Sequence, residues 1–365
     1  MNGARSASGA PLLHVITSND RRGAEVFGCQ LNSALTARGR AGEAVALAPG
    51  SDAVGLPVGV LGQSRRGAGT LASLRRRSKG VGAVIAHGST TLPMAALALV
   101  GTGVPLVYRN VGDPSYWATT RARRYRTASA LRRTQAVVAL TSEYADALAR
   151  IYGLPEHKLR VIPNGVSSEQ FHVTDRAMQD SVRRLLDLPR DAAVVLYMGA
   201  LGPEKDVATA IRAVAQLKSE ARETILVVVG DGRDRAALER LAAELAAGRV
   251  RFVGAVDDPE TWFAAADALV LPSLTEGLPA VLIEAAFAGL PVVATDVGLV
   301  REIVVAGETG LLVPPRQPGE IAASLRHALA RAPEMGQAAR QHCLARFDMA
   351  VVAAQWDDLL AGVCG

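Results

Sequence analysis

The chain has 365 residues, 49% of them hydrophobic and 4% aromatic, with 40 basic side chains against 35 acidic ones and a net charge of +5. That length and composition predict a soluble globular protein of two domains, each large enough for its own core, and exclude a repeat or low-complexity chain. Three cysteines without metal-ligand spacing, Cys29, Cys343 and Cys364, exclude a disulfide framework and fit a reduced, cytoplasmic setting. The first ten residues lack the apolar segment of a secretion signal. The longest uncharged run, Gly80 to Tyr108, is broken by His87, Pro93 and the Gly101–Gly103 turn. It therefore reads as strand, helix, strand rather than a membrane span.

Short β-rich runs alternate with helical periodicity from end to end, the pattern of parallel α/β sheets. In the first half strands are predicted over Leu12–Thr17, Ala44–Ala48, Val81–Ala86, Val104–Tyr108, Ala136–Leu140 and Leu159–Ile162. Helices are predicted over Ala24–Arg38, Leu92–Val100, Tyr116–Arg133 and Ser142–Tyr152. After the turn Pro163-Asn164-Gly165 the pattern restarts, with strands over Val194–Met198, Ile225–Val229, Val250–Val253, Ala268–Leu271, Val292–Thr295 and Leu311–Val313. Met349 to Leu360 reads as a final amphipathic helix. The expected architecture is two Rossmann-like, doubly wound parallel-sheet domains facing a cleft, with ligands beyond the carboxyl ends of the strands. Residues 1–166 form the expected acceptor-binding domain and 167–347 the donor-binding domain. Residues 348–365 form a helix that returns to the first domain.

Charge divides the halves. Residues 1–170 carry 21 basic and 9 acidic side chains, and residues 171–365 carry 19 and 26. An anionic partner for the first half, through long-range attraction, and an ordinary solvated arginine surface fit equally. Arg121, Arg123, Arg124, Arg126, Arg132 and Arg133 cover much of one helix, accompanied by Tyr116, Trp117 and Tyr125. That mixture suits an acidic membrane surface or an anionic acceptor. No nucleic-acid recognition motif accompanies it.

The most informative stretch is Pro272-Ser273-Leu274-Thr275-Glu276-Gly277-Leu278-Pro279, followed by Val281-Leu282-Ile283-Glu284. It follows an apolar strand and opens a helix. Unpaired N–H groups and the dipole at a helix start attract phosphate. Ionised carboxylates beside them accept hydrogen bonds from sugar and ribose hydroxyls. Diphosphate beside two hydroxyl acceptors describes a nucleotide-sugar pocket. Pro279, lacking an N–H, suits the first helical position. Gly230-Asp231-Gly232 ends another buried strand, where glycine lets backbone approach a ligand or simply forms a tight turn with Asp231 capping the next helix. Asp257 and Asp258 are read as caps for the helix near Pro259.

The second half resembles the donor domain of the family 4 retaining glycosyltransferases of the GT-B fold. The resemblance rests on Gly199–Asp206 (GALGPEKD), Val227–Gly232, Arg251–Val256, Ala268–Pro315 and the linker-like Val161–Val166. It implies that Glu276 meets the donor sugar, that Glu284 meets the ribose, and that the amides near Gly277 and Leu278 hold the diphosphate. It places Lys205 on the donor phosphates, where a cation stabilises the departing nucleoside diphosphate. Gly199, Gly230, Asp231, Val253 and Gly254 line the rest of the donor site, the last two near the nucleobase. No metal and no cofactor are expected; the nucleotide-sugar is a co-substrate.

Three departures stand out. The family's Gly-Arg-Leu is Gly199-Ala200-Leu201 here, its Gly-Gly-x-Glu loop is Arg22-Gly23-Ala24-Glu25, and its histidine after the fourth predicted strand is replaced by Arg109-Asn110-Val111-Gly112-Asp113. Arg109, with Arg22, is the candidate to supply the charge that Ala200 lacks; pairing of Arg109 with Asp113 is the structural alternative. Arg22, Gly23, Asn110 and Asp113 are assigned to the acceptor side. His87, at a strand end, is a candidate acceptor-orienting group or base, a structural histidine being an equal reading. His14, inside the first strand, is read as structural.

The expected activity is retaining, metal-independent transfer of a sugar, a hexose by expectation, from a UDP- or GDP-sugar to an acceptor hydroxyl. The acceptor is unidentified, with anionic or lipid-linked molecules as options, and the expected location is the cytoplasm, with peripheral contact at the inner membrane face as an option. A nucleotide-sugar-binding partner subunit without activity, or a GT-B nucleotide-sugar epimerase, are the alternatives.

Overall fold

The computed structural model describes residues 9–51, 55–217 and 223–364; the expectation about the first ten residues falls mostly outside them. The chain divides into two compact units, Met1–Gly165 with Met349–Gly365, and Val166–Asp348.

The first unit holds a parallel seven-stranded sheet of β1 (Leu12–Ser18), β2 (Gly42–Ala48), β3 (Gly59–Val60), β4 (Ala83–His87), β5 (Leu106–Arg109), β6 (Ala136–Ala139) and β7 (Leu159–Val161), in the order β3-β2-β1-β4-β5-β6-β7. The second holds β8 (Ala193–Met198), β9 (Thr224–Val229), β10 (Val250–Gly254), β11 (Ala268–Leu271), β12 (Val292–Thr295) and β13 (Gly310–Val313), in the order β10-β9-β8-β11-β12-β13. Every strand pair is parallel. Each order reverses direction once, between β1 and β4 and between β8 and β11. Each switch point opens a crevice beyond the carboxyl ends of the strands of its own sheet.

The central strands are buried on both faces, which is why they read as continuous apolar runs such as Thr224–Val229 and Ala268–Leu271. In the first unit one strand and one α-helix are absent from the sequence reading. The two-residue β3 is exposed and too short for a periodic signal. The Ala68–Arg77 helix ends in three consecutive arginines and buries only Thr70 and Leu74, so its apolar stripe is nearly missing. The helix expected over Tyr116–Arg133 is a correction. Pro114–Trp117 is a separate turn of 3₁₀ helix and the α-helix covers Arg121–Arg132, with Thr120 accepting a capping bond from the Arg123 amide. The Thr120 side chain competes with helix continuation and starts a new one.

The tail helix, Met349–Cys364, belongs to the first unit. Met349, Val352, Ala353, Trp356 and Leu360 bury one face, packing with Leu12, Phe27, Leu31 and Ile85. Arg40 pairs with Asp357 on its flank. In the second unit, fully buried Arg183 donates to Asp267 at 2.7 Å and to the carbonyls of Ala265 and Ala192. Its charge is thus paired and hydrogen-bonded, as burial demands.

Candidate functional site

The two loops that flank the second unit's switch point bring the predicted donor residues together. After β8 the chain runs through Gly199-Ala200-Leu201 to a 3₁₀ turn, Pro203–Lys205; after β11 it runs through Ser273 to Gly277. A backbone bond from the Leu274 amide to the Glu204 carbonyl, 2.8 Å, ties them. Lys205 Nζ donates to Glu276 Oε1 at 2.7 Å, and the Ser273 hydroxyl donates to the same oxygen at 2.6 Å. The carboxylate is nearly buried while Lys205 stays one-quarter exposed. Oε1 carries both bonds, which leaves Oε2 as the acceptor for a ligand hydroxyl.

Ser273 is a residue that the sequence reading quoted without a role. It is fully buried, and its carbonyl accepts from the Thr295 hydroxyl at the end of β12 at 2.5 Å. It orients the Glu276 carboxylate rather than touching a ligand itself. A hydroxyl three residues before a candidate glutamate was the only signal for it.

The helix Ala280–Phe287 begins immediately after this loop, with Pro279 at the N-cap in extended conformation. Pro279 therefore precedes the first helical residue instead of occupying it, and its side chain caps nothing. Amides of Gly277 and Leu278 have no protein acceptor among the described residues. Glu284 lies on the second turn, partly buried, and its carboxyl group makes no hydrogen bond or ion pair to a described residue. Desolvation alone pushes its carboxyl up to about 7. A half-hidden carboxyl without a partner is poised for an outside one.

Glycines hold this site together by protein packing. A Cβ on Gly230 would lie 1.9 Å from the Gly199 carbonyl oxygen, and both residues have positive φ. The sequence reading attributed such glycines to ligand approach or a tight turn; loop-on-loop contact already requires them. Gly254 accepts from the Gly230 amide at 2.8 Å, with Val253 half-buried beside it. Asp231 bonds the Gly232 amide and pairs with Arg235 at 3.0 Å, so it braces the loop instead of capping the helix, which starts after Asp234. Asp258 likewise occupies an N-cap position without a side-chain capping bond, correcting that expectation.

Gly298, at φ +55°, has the most demanding place: a Cβ there would meet the Glu276 carbonyl oxygen at 1.8 Å. Gly298→Ala is expected to cost about 2 kcal/mol of stability and to weaken donor binding by displacing Glu276. Thermal melting and donor titration of the variant check both.

In the first unit the predicted residues part company. His87 and Arg109 are 2% and 0% exposed. His87 Nε2 meets His14 Nδ1 at 3.1 Å, and Arg109 Nη1 approaches His87 Nδ1 at 3.5 Å. Because a guanidinium only donates, His87 accepts at Nδ1 and donates from Nε2 to His14. Arg109 also donates to the Asn164 side-chain oxygen Oδ1 and lies over the Phe27 ring, 3.9 Å from its centroid, a cation–π contact. Desolvation holds His14 down at about 3 and His87 well below its ordinary value, so both are neutral. It lowers Arg109 to about 9, which leaves the guanidinium charged at neutral pH.

Neither Arg109 nor His87 reaches the surface, which corrects their assignment to donor phosphate and acceptor. Helical and strand periodicity reports that a strand end is near a site, but not which way a long side chain folds. The alternative pairing of Arg109 with Asp113 also fails, since Asp113 is exposed and caps the Ser115 amide at 2.8 Å. Asn110 is buried and spends its amide on the Gly112 carbonyl at 2.5 Å, so it shapes the loop rather than meeting an acceptor. Arg22 remains exposed, 3.8 Å from the buried Asp20 carboxylate. It precedes Gly23, the first residue of an uncapped helix, where a Cβ would meet nothing. Glu25, in that helix's first turn, is buried, and desolvation raises its carboxyl.

Comparison with known proteins matches these features to one family. Residues 20–170 match the model described as Glycosyltransferase Family 4, and residues 178–342 the one described as Glycosyl transferases group 1. The chain belongs to the family 4 glycosyltransferases. Among its relatives, the D-inositol 3-phosphate glycosyltransferase 2 of Catenulispora acidiphila is 36% identical over 239 residues, covering 61% of this chain and 55% of that protein. The 2-deoxystreptamine glucosyltransferase of Streptomyces kanamyceticus is 31% identical over 204 residues, covering 55% and 52%. The chain thus spans about half the length of these relatives. A crystal structure of Anabaena HepE in complex with UDP-glucose superposes with a TM-score of 0.81 at 22% identity, covering 97% of this chain and 100% of that one.

The likeness to HepE establishes the fold: both units of this family 4 glycosyltransferase are parallel α/β sheets of the GT-B class. Among the described residues of the family 4 chain, no group of three or more His, Cys, Asp and Glu could hold a metal ion, and no helix is long and apolar enough to cross a membrane.

Proposed function

We propose that this chain is a retaining, metal-independent glycosyltransferase that moves a sugar from a UDP- or GDP-sugar to an acceptor hydroxyl. The observation that carries this reading is the Lys205–Glu276 pair at the second unit's switch point, followed along the chain by two free amides and a Glu284 carboxyl without a described partner. The UDP and UDP-glucose held by HepE support a uridine donor as the first to try. Glu276 Oε2 would accept from a donor-sugar hydroxyl and Glu284 from the ribose, while the amides of Gly277 and Leu278 would face the diphosphate. In same-face displacement the acceptor oxygen bonds to the anomeric carbon as the bond to the diphosphate oxygen breaks, and the acceptor proton passes to that departing oxygen. Lys205 would stabilise the negative charge that develops there, in place of a metal.

Melting curves with UDP-, GDP- and ADP-glucose test the donor assignment, because a ligand that binds only the native state stabilises it by about 2.7 kcal/mol at a hundred times its Kd. A rise with one nucleotide only, transfer that survives EDTA, and an unchanged anomeric configuration in the product are expected. No stabilisation by any of the three would sink the proposal. Stabilisation without transfer or hydrolysis would favour the inactive partner subunit, a reading to which Ala200 and the buried Arg109 lend weight.

A further inference from the structure

The Arg121–Arg132 helix of the first unit is the most unusual surface in the molecule. Its first six residues, Arg121 to Arg126, are all exposed. Five of its residues are arginines, and among the described residues none of these pairs with a carboxylate. A groove lies along each flank. One, of about 420 Å³, is lined by Arg66, Arg123 and Arg126 over a floor that includes Pro93, Met94 and Leu97. The other, of about 490 Å³, is lined by Arg121, Arg124, Arg132 and Arg150 beside Tyr125. Leu97 is 55% exposed and Tyr125 70% exposed. By contrast, arginines elsewhere, such as Arg77, Arg176 and Arg235, each hold a carboxylate within 3.1 Å.

We infer that this face docks on an anionic lipid bilayer. Cations without an internal carboxylate are a surface held ready for external negative charge. Their spread over both flanks of one helix matches a plane of charges better than a single phosphate, which needs donors converging on one point. Exposed Leu97 and Tyr125 between the guanidinium groups suit the boundary of headgroups and acyl chains, where an apolar body sits below and a polar tip stays wet. A surface contact of this kind also needs no spanning helix. The side chain of Trp117 lies outside what the structure describes and plays no part in the inference. Nor do the donor loops of the second unit, so its failure would leave the proposed transfer intact.

Co-sedimentation of the full chain with phosphatidylcholine vesicles, pure or mixed with phosphatidylglycerol, tests the docking. Binding to the mixed vesicles alone, weakening as salt rises, is expected. The Arg121→Ala/Arg123→Ala/Arg126→Ala variant should lose on the order of a hundredfold in partitioning, since each basic residue near an anionic surface is worth about a fivefold effect. A control that removes the same charge from exposed positions in the second unit, Arg184→Ala/Arg240→Ala/Arg326→Ala, should bind as the parent does. Leu97→Asp, a second route that keeps every arginine, should weaken binding as well. Equal binding to pure phosphatidylcholine, equal loss in the control, or displacement by inorganic phosphate at constant ionic strength would overturn the inference; the last would mark a simple anion pocket.

Discussion

Replacing Lys205 by alanine is expected to lower the transfer rate at saturating donor by about 100- to 1,000-fold, the range found when one preorganised donor to a developing negative charge is removed. The argument runs from the neighbourhood. Lys205 is held by Glu276 at 2.7 Å yet keeps a quarter of its side chain exposed, so its ammonium is aimed but not consumed. The arginine expected earlier in the same loop is Ala200, which leaves the loop with a single cation. An interaction made mainly with the departing diphosphate should depress kcat more than it raises KM. Steady-state kinetics of Lys205→Ala and Lys205→Arg check this, with partial rescue expected in the arginine variant. A purely structural lysine would show a lowered melting temperature and no kcat effect.

Donor affinity is expected to fall as the pH drops below about 7, and Glu284→Gln should remove that dependence. Burial raises the Glu284 carboxyl to about 7, so below that pH it is protonated and no longer the anionic acceptor that ribose hydroxyls need. Hydrogen bonds to a charged group are worth about 1.5–3 kcal/mol, so Glu284→Gln should weaken the donor roughly 10- to 100-fold at pH 8. Donor titrations between pH 5.5 and 8 check both, marking about the range over which the carboxyl titrates. The sign for the free protein is opposite. A carboxyl whose native pKa lies above its unfolded value favours the native state below that unfolded value, and this contribution is lost as pH rises through about 7. Donor binding near neutrality should therefore release a proton, measurable as a buffer-dependent binding enthalpy.

Much of the architecture could be read in the chain because fully buried parallel strands must be apolar on both faces. Ala268–Leu271 and Val292–Thr295 coincide with β11 and β12, and most other strands shift by one or two residues at an end. In the first unit, what escaped had weak burial or local competition: the exposed β3, the arginine-rich Ala68–Arg77 helix, and the break that Thr120 introduces before Arg121. Among the candidate site residues, Lys205 and Glu276 meet because short loops after the neighbouring strands β8 and β11 leave few places for a side chain to go; their proposed roles, and that of Glu284, rest on the resemblance. Ser273 was not legible, since its role is defined by a hydroxyl contact to Glu276 and by Thr295 from another strand.

Residues by themselves determined the two α/β halves and the turn that opens at Glu276, both of which depend on local periodicity and short-range spacing, while the family was carried by the resemblance of motifs such as Gly199–Asp206 and Ala268–Pro315. Tertiary structure alone decided the fates of long side chains. Arg109 and Arg22 are both arginines near strand ends, yet one is sealed over Phe27 against Asn164 and the other stands in solvent. Whether a flexible cation turns inward depends on partners brought from β4, from the first helix and from residue 164, far apart in the chain. A guanidinium enters the core only where such groups together replace its water.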